Sequence, residues 1–316
     1  MPFRATLGMA VIVGVEHDAG VGFLDDRAGL AGKVALIAGG GGGLGRAVAL
    51  DFARAGVDLA LCDRNAGLLD TTVTDVERAG ARVVSRTMDA RDPEALGAFF
   101  EQADGEFGRL DVLVNVVGGT FRQPFAESAP RGWDAIIRTN FTWLLHSTKL
   151  AIDRMRAGGR GGSIISITSI EGHRAAPNYA VYAGMKAAVT NFSRSLALEL
   201  APDGIRINTI APDMVPTEGI MSMTGSTLAE GYGGSVSTDI AIPMRRVGRY
   251  EDVGNAALFL ASDLSSYITG ETLHPDGGAH ASAGWFNWPR TGWGNTPPPW
   301  VVDLLEGAPP PPASST

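Results

Sequence analysis

Tyr182 and Lys186 stand four residues apart, and Ser169 lies thirteen residues before Tyr182. Positions i and i+4 of a helix share a face. The stretch 178–200 fits a helix: Ala, Met and Leu are frequent, and apolar residues recur at Ala183, Ala187, Ala188, Phe192, Leu196 and Leu200. A phenol and an ammonium would then project side by side. A free tyrosine, with a pKa of about 10, is a poor base at neutral pH. A positive charge roughly 4 Å away, at an effective dielectric near 20, favours the phenolate by about 4 kcal/mol. That is worth up to about three pKa units and would bring the phenol near 7, where a general acid/base works best. The Tyr-x-x-x-Lys spacing alone is a weak signal, because a surface helix can carry it by chance. Tyr179 has no Lys four residues after it and is the decoy.

The elements that must position these groups are legible around them. Lys33 to Ala38 reads as a short buried strand, followed by Gly39-Gly40-Gly41-Gly42-Gly43-Leu44-Gly45 and a helix from Arg46 to Ala55. Glycines between a strand and a helix N-terminus make an anion site, where backbone N–H groups and the helix dipole face a pyrophosphate. Five consecutive glycines also fit a flexible linker, but the flanking strand and helix argue against it. Val57 to Cys62 is the next strand, and Asp63 stands twenty residues after Gly43. In a dinucleotide-binding fold an acid there accepts hydrogen bonds from the adenosine ribose and repels a 2′-phosphate. Arg64 beside it would instead meet such a phosphate. The balance favours NAD over NADP.

The alternation continues along the chain. Helices are expected over 66–79, from Asp92-Pro93-Glu94 to Phe107, over 131–156 with Asn140 inside, and over 251–261. Strands are expected over 82–87, 110–114, 163–169, 205–210 and 271–274. Asp89, with Ala90, falls where an adenine contact belongs. The segment 213–243 reads as irregular. Strands alternating with helices imply a parallel sheet covered on both faces. The reading is a single α/β unit over 31–280, a doubly wound seven-stranded sheet. An N-terminal extension (1–30) precedes it and a Trp- and Pro-rich extension (281–316) follows.

Composition narrows the function. The chain has 316 residues, a net charge of −8 and 45% hydrophobic content. The acidic balance argues against nucleic acid or anionic membranes as partners. The lone cysteine, Cys62, permits no internal disulfide and fits a reducing, cytoplasmic setting. No apolar run is long enough for a transmembrane helix. Arg4 and the apolar run to Val15 resemble a short leader, but Glu16-His17-Asp18 follows without a small-residue cleavage site. An extra strand or arm, or a true start at Met9, are the alternatives. Trp285, Trp288, Trp293 and Trp300 hold four of the six tryptophans. This tail is expected to pack on a neighbouring surface or subunit, except for its last eight or so residues.

Across 31–280 these residues resemble the short-chain dehydrogenase/reductase family. Gly39, Gly43 and Gly45 match its Gly-x-x-x-Gly-x-Gly turn. Asn115 to Gly118 resembles its Asn-Asn-Ala-Gly segment, and Asn140, Ser169, Tyr182 and Lys186 match its catalytic tetrad. Pro275-Asp276-Gly277-Gly278 resembles its closing motif. The resemblance implies a Rossmann-type fold and an NAD(P)-dependent alcohol or ketone oxidoreductase. Tyr182 would exchange the proton, Lys186 would lower its pKa and hold the nicotinamide ribose, and Ser169 would orient the carbonyl. Asn140 would hold a water that links Lys186 to solvent. Gly39, Gly43, Leu44, Gly45, Asp63, Arg64, Asp89, Ala90, Asn115, Gly118, Pro212, Val215 and Thr217 are the implied cofactor positions, and no metal is implied. A homotetramer or homodimer is implied as well. Three departures stand out: Val116-Val117 inside the Asn-Asn-Ala-Gly segment, Ala38 where a Thr is usual, and Pro212-Asp213 where Pro-Gly is usual. The family's substrate loops here carry Phe121, Phe125, Ile170, His173, Met214, Met221 and Met223. They point to a fairly bulky apolar alcohol or ketone. Glu171 and His173 are candidates for its polar groups. A reductase of carrier-bound 3-oxoacyl groups and a non-catalytic NAD-binding regulator are the rival readings.

Overall fold

The structure, a computed structural model, describes residues 22–217 and 236–307. Met221 and Met223 lie outside the described residues. Seven strands form one sheet: β1 (Val34–Ala38), β2 (Asp58–Asp63), β3 (Val83–Thr87), β4 (Val112–Asn115), β5 (Gly162–Ile167), β6 (Ile205–Ile210) and β7 (Thr272–Leu273). Their order is β3-β2-β1-β4-β5-β6-β7, and every pair is parallel. Parallel strands need helical crossovers, which cover both faces. That is why β1 reads as an unbroken apolar run and is buried at all five positions.

Successive β1 residues feed two separate cores. Ala35 and Ile37 pack with α2 (Gly43–Arg54), α3 (Ala66–Arg78) and α9 (Tyr250–Ala261). Leu36 and Ala38 pack on the other face with α4 (Pro93–Phe107), α6 (Trp143–Gly158) and α7 (Ala180–Leu200). Strand order reverses between β1 and β4. The crevice at the carboxyl ends of the strands beside that switch point is where ligands bind in such sheets.

Two elements depart from expectation for identifiable reasons. The helix expected over 131–156 is interrupted: α5 (Pro130–Ile137) runs into a π-helical turn (Arg138–Thr142) before α6. Asn140 lies in that turn, and its amide donates to the carbonyl of Ile136 at 2.9 Å, a bond the backbone ladder would otherwise make. Helix α2 starts at Gly43 rather than Arg46, so the end of the glycine run is already helical. A Cβ on Gly45 would stand 1.9 Å from the Gly39 carbonyl oxygen, so only glycine lets the helix pack this closely on the turn.

The tail continues from α10 (Ala279–Ser282) into an antiparallel hairpin, β8 (Phe286–Trp288) with β9 (Gly292–Gly294), and α11 (Pro299–Glu306). The hairpin packs on α8 (Val236–Ala241) of the same chain. Trp288 and Trp300 carry buried indole N–H groups without a partner among the described residues, whereas Trp285 and Trp293 stay about half exposed. The last residues of the tail, 308–316, lie outside the described residues.

Three of the chain's five histidines meet where the tail begins. His274 stacks on His280 with ring centres 4.3 Å apart, and His173 lies 4.7 Å from the first and 5.7 Å from the second. Burial, then the neighbouring imidazoles, then Arg194 hold His173 below the ordinary histidine range. His274 is lowered too, by burial and then by His280, against an opposing pull from Asp276. A histidine whose folded pKa is depressed binds fewer protons in the native state, so stability falls as pH drops through the ordinary value of about 6.5. Thermal unfolding is therefore expected to lose midpoint as pH falls from about 7 to about 5. His173→Phe, which keeps a packed ring, should flatten that loss. An unchanged slope in the variant would remove the cluster as its source.

Candidate functional site

The glycine turn is held from two sides. Gly39 and Gly40 donate to the Cys62 carbonyl at 2.9 and 3.0 Å, and Gly41 donates to Asp63 Oδ2 at 3.0 Å. The hydroxyl that Ala38 lacks is replaced from elsewhere, because the fully buried Thr72 of α3 donates to the Gly41 carbonyl at 2.8 Å. Nothing local in the sequence marks Thr72, which reaches the turn only through the fold. Gly43, Leu44 and Gly45 open α2, where backbone N–H groups have no intrahelical acceptor and can meet an anion. Leu44 sends its side chain into the core and offers only its backbone. Thr217 approaches Gly43 from across the crevice.

A groove of about 360 Å³ continues from the turn, with Asp63, Arg64, Asp89, Ala90, Arg91 and Gly118 on its walls. Asp63 Oδ1 accepts from Asn65 N at 2.9 Å, which fixes the carboxylate at the groove edge. Asp89 is already engaged: the Arg91 guanidinium donates to both its oxygens at 2.6–3.0 Å and holds its carboxyl below the usual range. Arg91 also reaches Thr139 Oγ1 at 3.1 Å. The sequence reading missed Arg91, because an Asp-x-Arg next to a helix cap looks like an ordinary surface pair.

Asn115 is not placed to touch a cofactor through its side chain. It is buried, its Oδ1 accepts from Ser147 at 2.8 Å, and its amide faces Ser166 at 3.3 Å and Thr148 at 3.5 Å. It bolts β4 to β5 and α6. Val215 is likewise buried, and Pro212 uses its carbonyl to receive Ile170 N at 3.1 Å.

The tetrad residues converge at the carboxyl ends of β4 and β5. Lys186 is buried, and its ammonium donates to the Ile167 carbonyl at 2.9 Å. Asn140 accepts from Gly119 N at 3.2 Å and donates to Gly119 O at 2.7 Å. A Cβ on Gly118 would stand 3.1 Å from both Asn140 Oδ1 and Lys186 Nζ, so this glycine separates the amide from the ammonium. Ser169 closes β5 in extended backbone, and its hydroxyl accepts from Glu171 N at 3.2 Å. The Ser169 side chain acts on the Tyr182 phenol as well and favours its ionised form.

The electrostatics differ from the simple pairing expected. Lys186 Nζ lies over the Tyr182 ring, 5.7 Å from its centre. Burial pushes the Tyr182 phenol above its ordinary value, and the Glu171 carboxylate adds to the rise. Burial also brings Lys186 down to about 8. Desolvation penalises both charged forms, and in this geometry it outweighs their attraction.

The substrate-side residues divide. Phe121 and Phe125 are partly exposed, and Phe125 stacks on Trp133 with centres 5.0 Å apart. Tyr179 faces this aromatic wall, not the tetrad. Met214 is half-buried. Ile170 is fully buried and presents no surface to a substrate. His173 points away: its Nε2 lies 3.5 Å from Thr190, eight residues or about 12 Å along α7 from Tyr182. It belongs to the imidazole cluster. Arg174 pairs with Glu171 at 2.8 Å and with Asp213 at 3.4 Å.

Comparison with known proteins agrees with this architecture. The family model described as enoyl-(acyl carrier protein) reductase matches residues 39–280. An uncharacterised oxidoreductase of Mycobacterium tuberculosis is 36% identical over 246 residues, which is 78% of this chain and 91% of that protein. The chain belongs to the short-chain dehydrogenase/reductase family. Within that family it is also similar to the 3-oxoacyl-acyl-carrier-protein reductase of Thermotoga maritima, at 33% identity over 79% of this chain and 98% of the relative. Among solved structures it is similar to carveol dehydrogenase from Mycobacterium avium in complex with NAD, with a TM-score of 0.74, 32% identity, and 79% and 98% of the two chains covered.

The Asn115 assignment is directly testable. Asn115→Ala leaves buried hydroxyls without partners and should cost about 1–3 kcal/mol in urea unfolding, with NAD(P) affinity little changed. A selective loss of NAD(P) affinity at full stability would restore a direct cofactor contact.

Proposed function

We propose that this chain interconverts a secondary alcohol and a ketone, with NAD as the hydride carrier and Tyr182 as the general acid/base. The observation that carries the reading is the buried Lys186 ammonium against the Tyr182 ring, with Ser169 at the turn after β5 and the groove that begins at the glycine turn beside them. NAD would lie with its pyrophosphate on the N–H groups of Gly43, Leu44 and Gly45 and its adenosine against Asp63, and it would supply the hydride acceptor. Thr217 and the Pro212 segment border the nicotinamide end. In oxidation, the Tyr182 phenolate takes the alcohol proton while Ser169 holds the same oxygen. The Lys186 ammonium favours the phenolate and binds the ribose, and Asn140 links that ammonium to solvent.

Asp63 supports NAD over NADP, because a 2′-phosphate would meet its carboxylate. The aromatic wall of Phe121 and Phe125 supports a bulky, largely apolar substrate. The Thermotoga maritima relative favours a second reading, reduction of carrier-bound 3-oxoacyl groups. Against it stand Asp63 and the net charge of −8, which suits an acidic carrier poorly. We also propose a homotetramer paired through the helices that carry Asn140 and Tyr182. Light scattering showing a monomer at micromolar concentration would remove that element.

Two measurements test this reading. Asp63→Ser should move preference toward NADP, with Arg64 then free to pair the phosphate. A parent enzyme that already uses NADP tenfold better than NAD overturns the cofactor assignment. On a panel of terpenoid, steroid and cyclic alcohols, Tyr182→Phe should lower kcat by about 10²–10⁴-fold, with NAD binding retained. Tyr179→Phe should be nearly silent. The opposite pattern would mean the site is misassigned.

A further inference from the structure

We propose that Arg174 is a positioning residue for the reaction: it neutralises the Glu171 carboxylate that acts on the Tyr182 phenol and, through Asp213, straps the Ser169 turn to the loop after β6. This deepens the reading above and rests on Tyr182 as the proton carrier.

The strap is a set of short contacts between two loops. Glu171 follows the turn that Ser169 opens, and its backbone N–H is already spent on the Ser169 hydroxyl. Arg174 Nη2 donates to Glu171 Oε1 at 2.8 Å and reaches Asp213 Oδ1 at 3.4 Å. The backbone runs a parallel tie, Ile170 N to Pro212 O at 3.1 Å. Asp213 stands where the family usually has glycine, so this chain has added a carboxylate at the nicotinamide loop. Its side chain is only 11% exposed, against 42% for Arg174. A buried carboxylate costs free energy unless a cation attends it. Arg174 is the one cation that contacts it among the described residues.

The charges around the phenol then add up with a clear sign. Glu171 acts on the phenol, and Glu171, Asp213 and Asp276 all act on Arg174. Lys186 is buried against the Tyr182 ring. Burial raises the phenol and Glu171 raises it further. Burial also lifts the Asp213 carboxyl to about 6, with Arg174 opposing the rise. Without Arg174 the unscreened carboxylates disfavour the phenolate, and Lys186 alone must offset them.

An ultraviolet difference titration, parent minus Tyr182→Phe, isolates this phenol among the chain's five tyrosines and needs no substrate. The same Tyr182→Phe subtraction is made in each variant background. Arg174→Gln should raise the phenol midpoint by about 0.5–1 pH unit, and Glu171→Gln should lower it by about as much. Arg174→Lys keeps the charge and should stay near the parent. A purely structural role would depress stability without moving the two midpoints in opposite directions. An Arg174→Gln midpoint equal to or below the parent's overturns the proposal. Where Arg174→Gln does not fold, Glu171→Gln decides: a downward shift supports it and no shift overturns it. Failure here, with Tyr182→Phe inactive, leaves the proton carrier standing. An active Tyr182→Phe enzyme overturns the proton carrier whatever the titration shows.

Discussion

A buried ammonium sets the terms for the rest of this site. Lys186 is all but sealed from solvent, and the Ile167 carbonyl is its acceptor among the described residues. An ion in that position is costly, and its neighbours are shaped to keep it there. Gly118 leaves the room a methyl group would take between Nζ and Asn140. Gly172 lets the turn after Ser169 lie against the backbone of Lys186 and Ala187, where a Cβ would stand 2.9–3.0 Å away. Asn140 grips both backbone groups of Gly119, and the helix pays with a π-helical turn. Each of these features is local. Together they hold one charge at the ends of β4 and β5.

The walls beyond that charge are of two kinds. One is aromatic, with Phe125 stacked on Trp133 and Phe121 beside them. The other is ionic, with Arg174 between Glu171 and Asp213. The Glu171 carboxylate raises the Tyr182 phenol, so the ion pair bears on its proton affinity.

Much of this was legible from the chain. The strand and helix alternation follows from apolar periodicity, and α4 runs from Pro93 to Phe107 as its Asp92 cap and first-position proline dictate. The glycine turn, Asp63 and the tetrad were marked by residue type and spacing. What escaped was tertiary. Thr72 braces the turn from 31 residues away, and no local pattern announces it. Arg91 looks like half of a surface pair until the fold puts Thr139 beside it. Asn115 sits in a cofactor motif, yet the hydroxyls of α6 and β5 consume its side chain. His173 was a plausible substrate contact by position, but two other histidines brought up by β7 and α10 claim its ring. Tyr182 and Lys186 share a face of α7, as their spacing implies. Spacing gives the face, whereas burial decides the sign of the shift.

The claim at the centre is that Lys186 is a desolvated ammonium whose charge is held close to its limit. The chain has only three lysines, Lys33, Lys149 and Lys186. Carbon-13 labelling at the lysine ε position, with a Lys186→Met protein to assign the signal, reads each one separately through a pH titration. The structure predicts a Lys186 midpoint of about 8, well below the ordinary lysine value of about 10.4. A Lys186 midpoint at that ordinary value would contradict the buried charge on which the site depends.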